Sequence, residues 1–211
     1  MRELRGLKRG TLRLGLPPIG SDMLFAPLFA DYRRRYPDIT VQLVEHGSDQ
    51  LEQLLRDGSI DLAGLLLPAS SDFDFRWVQK EPLVVILPFD HPLADQASVT
   101  MLDLQREAFI LFENSFSLHR IILEACRKEK FEPAVVATSS QIDFVIELVS
   151  SGLGIAFLPQ TIARQRAHAK VKAVLLSQAD AEWQMVMAWR RNGYLSEAAT
   201  AWLRLLKDEA E

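Results

Sequence analysis

Two hundred and eleven residues, 48% hydrophobic and 25% charged, suffice for one large domain or two small ones with real cores. A net charge of -4 argues against a chain that grips DNA by itself, because that binding needs a basic face to displace counterions. No apolar run approaches the roughly 18 residues of a membrane span. The charged segment from Met1 to Arg9 lacks the apolar stretch of a signal peptide, and the single cysteine, Cys126, excludes an internal disulfide and fits a reducing cytosol.

Residues 1–9 read as a connector. Leu12, Leu14 and Leu16 then alternate as a strand, and Pro17-Pro-Ile-Gly-Ser21 turns into a helix with Leu24, Phe25, Leu28, Phe29 and Tyr32 on one face. Ser21 is placed as the N-cap. Pro27 would clash in a helix interior, so the pattern predicts a turn over Gly20–Leu24, a helix proper from near Phe25, and a stop at Pro37. A strand follows over Thr40–Glu45. Gly47-Ser48 opens a helix with Leu51, Leu54 and Leu55 inward, closed by Gly58. Ile60–Leu67 is nearly all apolar, as a strand covered on both faces should be. Asp72 to Phe75 reads as a surface loop before a long strand, Glu81–Leu87.

The pattern then restarts. A short helix at Asp103-Leu-Gln leads to strand Phe109–Phe112, a polar turn Glu113–Ser117, and a helix with Leu118, Ile121, Ile122 and Ala125 on one face. Strand Ala134–Thr138 ends at Ser139-Ser140, and a helix bearing Ile142, Val145, Ile146 and Val149 runs to Gly152. Strand Gly154–Leu158, a weak edge at Ala173–Leu176, a strand at Gln184–Trp189 and a helix from Ser196 to Lys207 complete the chain. Strands alternating with helices twice over imply an α/β fold of two parallel, Rossmann-like units, residues 10–87 with 190–211 and residues 88–189. The chain would cross at Leu87–Asp90 and return near Trp189, two segments that make a hinge. Ligands in such folds sit outside the carboxyl ends of the strands.

Serines recur at those ends: Ser21, Ser48, Ser115 or Ser117, and Ser139 or Ser140. Any one reads as a helix cap, but the set offers hydroxyls and helix N–H groups to one anionic or polar ligand. Competing chemistry is weak. His46 and His119 lack a carboxylate cage and are poor metal ligands. Ser115 and His119, four apart, lack the orienting acid and oxyanion donors of acyl transfer. Gly152-Leu-Gly154 is a helix stop rather than a dinucleotide loop, and Cys126, among apolar neighbours, is packed. No cofactor, metal or catalytic residue is expected.

Five stretches carry a family resemblance: Gly10-Thr-Leu-Arg-Leu-Gly15, Phe29-Ala-Asp-Tyr-Arg-Arg-Arg-Tyr-Pro-Asp38, Leu54-Leu-Arg-Asp-Gly-Ser-Ile-Asp-Leu-Ala63, Asp90-His-Pro-Leu-Ala94 and Leu148-Val-Ser-Ser-Gly-Leu-Gly-Ile-Ala-Phe-Leu-Pro159. From about Leu4 to Leu206 the chain resembles the effector-binding domain of LysR-type transcriptional regulators. The resemblance implies two hinged subdomains of the type 2 periplasmic-binding-protein kind, with a small metabolite, often a carboxylate, held between them. It places effector contacts at Pro18, Ile19, Gly20 and Ser21, at Gly47 and Ser48, at Ser115, Phe116 and Ser117, and at Ser139 and Ser140. Leu66 stands where several aromatic-acid sensors of the family carry arginine, which favours a compact monocarboxylate. The runs Leu111–His119 and Ser139–Phe144 resemble a branch associated with overflow carbon metabolism and acetate- or pyruvate-like signals.

The resemblance further implies a cytoplasmic homodimer or tetramer, paired antiparallel through the Leu24–Arg35 and Leu118–Lys128 helices. DNA would be contacted only through a winged helix-turn-helix whose linker tail Met1–Lys8 resembles. No membrane contact is implied. The rival reading is a solute-binding receptor of a transport system on the same fold; the absent leader and Asp90-His-Pro-Leu favour the regulator. An enzyme on this fold is a third reading, and nothing in the chain asks for it.

Overall fold

The computed structural model describes residues 10–177 and 181–206. The connector over residues 1–9 and the Lys207 end of the last helix lie outside them. The elements are β1 (Gly10–Leu16), α1 (Ser21–Arg35), β2 (Ile39–Glu45), α2 (Ser48–Arg56), β3 (Leu62–Leu66), β4 (Phe73–Pro88), β5 (Ser98–Val99) and β6 (Ala108–Phe112). There follow α3 (Ser117–Lys128), β7 (Ala134–Ser139), α4 (Ile142–Ser150), β8 (Ala156–Pro159), α5 (Gln160–Gln165), β9 (Val171–Leu176), β10 (Glu182–Arg190) and α6 (Glu197–Leu203). The fold is the mixed α/β arrangement expected, in two compact units. The chain leaves the first unit between Gln79 and Lys80 and returns between Trp183 and Gln184. Both exchanges fall inside strands, β4 and β10, earlier on each than Leu87–Asp90 and Trp189, because each strand is long enough to serve both units.

In the first unit β1 pairs parallel with β2 on one side and β3 on the other, and β10 runs antiparallel to β3. Every residue of β3 is buried, the signature of a strand covered on both faces. On one side Leu51, Leu55, Ile60, Leu65, Phe73 and Val186 form a core. Elsewhere Trp202 of α6 packs 5.3 Å from Tyr32 of α1, whose hydroxyl donates to the Ala198 carbonyl at 3.0 Å. Burial pushes the Tyr32 phenol up to about 12, so it stays a donor throughout the physiological range.

In the second unit β4 runs antiparallel to β8 and β9, β9 pairs parallel with β5, and β6 and β7 form a separate parallel pair. The Ile110 N–H donates to the Ile155 carbonyl and the Ile155 N–H to the Ala108 carbonyl, both at 2.8 Å. These bonds draw the chain after α4 against β6. Gly154 is required there: a Cβ on it would lie 2.3 Å from the Ala108 carbonyl oxygen. Gly58 and Gly152, at φ of +78° and +76°, close α2 and α4 in the left-handed conformation as anticipated.

Several elements differ from the pattern reading. The α1 helix begins at Ser21, not near Phe25, and contains Pro27. Pro27 is exposed, so the Met23 carbonyl that loses its helical partner can face solvent. The segment Phe73–Phe75 is strand rather than loop: Phe73, Phe75 and Trp77 alternate with Asp74, Arg76 and Val78. Asp103 lies in turns, not a helix, with its carboxylate accepting from both the N–H and hydroxyl of Thr100. The Ala173–Leu176 stretch is not an edge, since β9 lies between β4 and β5. The α6 helix ends at Leu203, and Ser196 caps it by accepting from the Ala199 N–H. Replacing Gly154 by alanine is expected to lower the unfolding free energy by about 1–3 kcal/mol in urea denaturation. An unchanged midpoint would show that the β6 contact yields freely.

Candidate functional site

Parallel pairing fixes where each helix begins. Leu16 at the end of β1 is in register with Glu45 at the end of β2, and the His46 N–H donates to the Leu16 carbonyl at 3.3 Å. The Pro18–Ser21 and Gly47–Ser48 turns therefore leave the same edge of the first unit, each opening a helix. Leu66, the last residue of β3, ends at that edge, 5% exposed and paired with Met185. The second unit repeats the arrangement: Phe112 of β6 is in register with Ser139 of β7, followed by α3 and α4. Unpaired N–H groups of a helix's first turn favour an anion by roughly 0.3–1 kcal/mol, more where partly buried.

The serines do not sit as caps. The N-cap positions of α1, α2, α3 and α4 are Gly20, Gly47, Phe116 and Gln141, none with a side-chain capping bond. Ser21, Ser48 and Ser117 are instead the first helical residues, all buried. The Ser21 hydroxyl donates to the Pro17 carbonyl, tightening its own turn. That of Ser48 makes no hydrogen bond among the described residues. The Ser117 hydroxyl is fully enclosed and lacks a partner among them. Ser139 accepts from the Gln141 N–H at 3.1 Å, while Ser140 and Ser115 are exposed. Ile19 and Gly20 are buried and Pro18 half-buried. Phe116, 7% exposed, stacks on Phe112 at 5.8 Å.

Acids distinguish the helices. The first turns of α1, α2 and α4 contain Asp22, Asp49 and Asp143, whereas α3 has no acid there. The N-terminus of α3 is thus the least neutralised of these, and Ser117 stands on it. A cavity of about 180 Å³ beside Ser21 is lined by Leu16, Phe25, Phe29 and Leu43. Asp22 and Glu45 also line it, so it does not suit an anion.

His119 Nδ1 lies 2.7 Å from the Phe112 carbonyl oxygen, so it carries a proton and donates there; Ser115 is not its partner. Ser139, through the Gln141 N–H, and His119, through the Phe112 carbonyl, therefore hold backbone at the site, roles that only the fold reveals. Among the described residues no three metal-ligating side chains come together. Cys126 is packed, and burial pushes its thiol up to about 12.

The chain belongs to the LysR substrate-binding domain family, whose model matches residues 5–211. It is 38% identical over 208 residues to the HTH-type transcriptional regulator YwbI of Bacillus subtilis, covering 98% of this chain and 69% of that protein. It covers 52% of the transcriptional dual regulator GltC of the same organism, at 30% identity over 72% of this chain. Its fold matches the regulatory domain of Synechocystis CcmR in complex with 2-PG, with a TM-score of 0.85 at 21% identity, over 94% of this chain and 96% of that one. The effector-binding domain of QuiR in complex with shikimate gives 0.82 at 22%, over 94% and 95%. The chain is thus a regulator's effector-binding domain rather than a transport receptor or an enzyme, on the periplasmic-binding-protein-like fold. No described helix is long and apolar enough to cross a membrane.

An enclosed hydroxyl without a partner is a cost that alanine removes. Ser117→Ala is expected to raise the unfolding free energy of the ligand-free domain by about 1 kcal/mol in urea denaturation. A loss of that size would show that the hydroxyl already has a partner.

Proposed function

We propose that the domain senses a compact organic monoanion, a carboxylate of acetate or pyruvate size, taken at the strand-end helix starts. The observation that carries this is Ser117: a buried, unpartnered hydroxyl on the helix start least compensated by acid. Ser48 adds a free hydroxyl on a second helix start, and Leu66 in place of a cation favours a single negative charge. The QuiR domain's complex with shikimate supports the carboxylate class. Binding acts by preferring one conformation of the domain over another, since only differential affinity shifts an equilibrium. In the whole regulator that preference redirects DNA contact made by a module outside this chain, in the cytoplasm.

A thermal-shift screen of small carboxylates tests this, because a ligand at 100 times its dissociation constant adds about 2.7 kcal/mol. Ser48→Ala and Ser117→Ala are each expected to weaken the best hit by roughly tenfold, the worth of a charge-assisted hydrogen bond. Unchanged affinity in both variants moves the site elsewhere.

The domain pairs as a homodimer in this reading, α1 against the second copy's α3. Leu24, Leu28 and Phe29 of α1 are only half-buried, and Leu43 on the outer strand β2 is 52% exposed. In the other unit Val135 and Val136 of β7 are exposed. Sedimentation at micromolar concentration should give a dimer that Leu43→Glu converts to monomer; a monomeric wild-type chain contradicts the pairing.

A further inference from the structure

The second unit contains a cavity of about 280 Å³ that shares no residue with the strand-end turns. Ile86 of β4, Ile146 of α4 and Leu158 of β8 contribute an apolar lining, and Arg164, Arg166 and His168 contribute the polar part. Two of those three side chains already meet acids of α4. Arg166 bonds the Asp143 carboxylate, and His168 Nε2 lies 3.5 Å from a Glu147 oxygen. Arg164 has no acid partner among the described residues. An apolar chamber with one uncompensated guanidinium is complementary to an amphiphilic monoanion: the body leaves water for the aliphatic lining, and the carboxylate takes the fork of Arg164. The volume lies at the small end of ligand sites, enough for a ring or short chain bearing one acid group.

We propose that this cavity is a second small-molecule site, specific for an apolar organic monoanion and separate from the strand-end turns. Its occupant would brace α4 and α5 against β4, giving the second unit an input of its own.

Sodium phenylacetate and its neutral isostere phenylacetamide are the probes, read by methyl-resolved NMR of the whole domain. Phenylacetate is expected to shift the Ile86, Ile146 and Leu158 methyl signals saturably, and the amide to bind at least roughly tenfold more weakly. Arg164→Ala, at an exposed position, should weaken phenylacetate by a similar factor without changing the melting temperature. Ala167→Trp, which fills the cavity from another exposed position, should abolish the shifts. Ser117→Ala should leave them intact, which separates this site from the strand-end reading. Silent methyls with shifts confined to the Ser48 and Ser117 amides overturn the proposal, as does equal binding of acid and amide or an Arg164→Ala variant of unchanged affinity.

Discussion

The first N–H groups of a helix cannot bond within it, and this chain places several such starts at the carboxyl ends of parallel strands. The pairing of β1 with β2 and of β6 with β7 makes that placement obligatory, because a parallel strand pair requires its connecting helices to begin at one edge. A turn then decides which donor is left over. At Gly20 the left-handed backbone, φ +86°, lets α1 begin at Ser21 and turns that hydroxyl onto Pro17. At Phe116 an extended backbone sends the Ser117 hydroxyl into an enclosed position with nothing to bond. The two serines look alike in sequence and are chemically unlike in the fold.

The rest of the structure keeps those starts where they are. Trp202 and Tyr32 clamp the far part of α1 through ring contact and the Ala198 carbonyl. Gly154 lets the chain after α4 close on β6. The buried Glu81 carboxylate accepts from the Thr161 N–H at 2.6 Å, fixing α5 against β4 just after the chain changes units.

The repeated strand–helix alternation, the glycine stops and the inward faces of α3 and α4 were legible because each follows from local periodicity or a positive φ. The start of α1 was not, since Pro27 argues locally against a helix that tertiary packing of Phe25 and Tyr32 sustains. Phe73–Gln79 concealed a strand because Asp72, Asp74 and Arg76 resemble loop residues, although Phe73, Phe75 and Trp77 keep period two. The interior place of β9 is a matter of distant pairing that no window of residues contains. For the candidate site, sequence brought the serine-bearing turns into view. Whether each serine caps its helix or begins it turns on one residue's backbone angles, and that decides which hydroxyl is free.

The most direct measurement is an amide-resolved NMR titration of the domain with pyruvate. The account predicts that the N–H signals of Ser117 and Leu118 move along a saturation curve, and that Ser117→Ala weakens it roughly tenfold. Ser117 and Leu118 signals that stay in place at saturating pyruvate would contradict the claim that this helix start takes the anion.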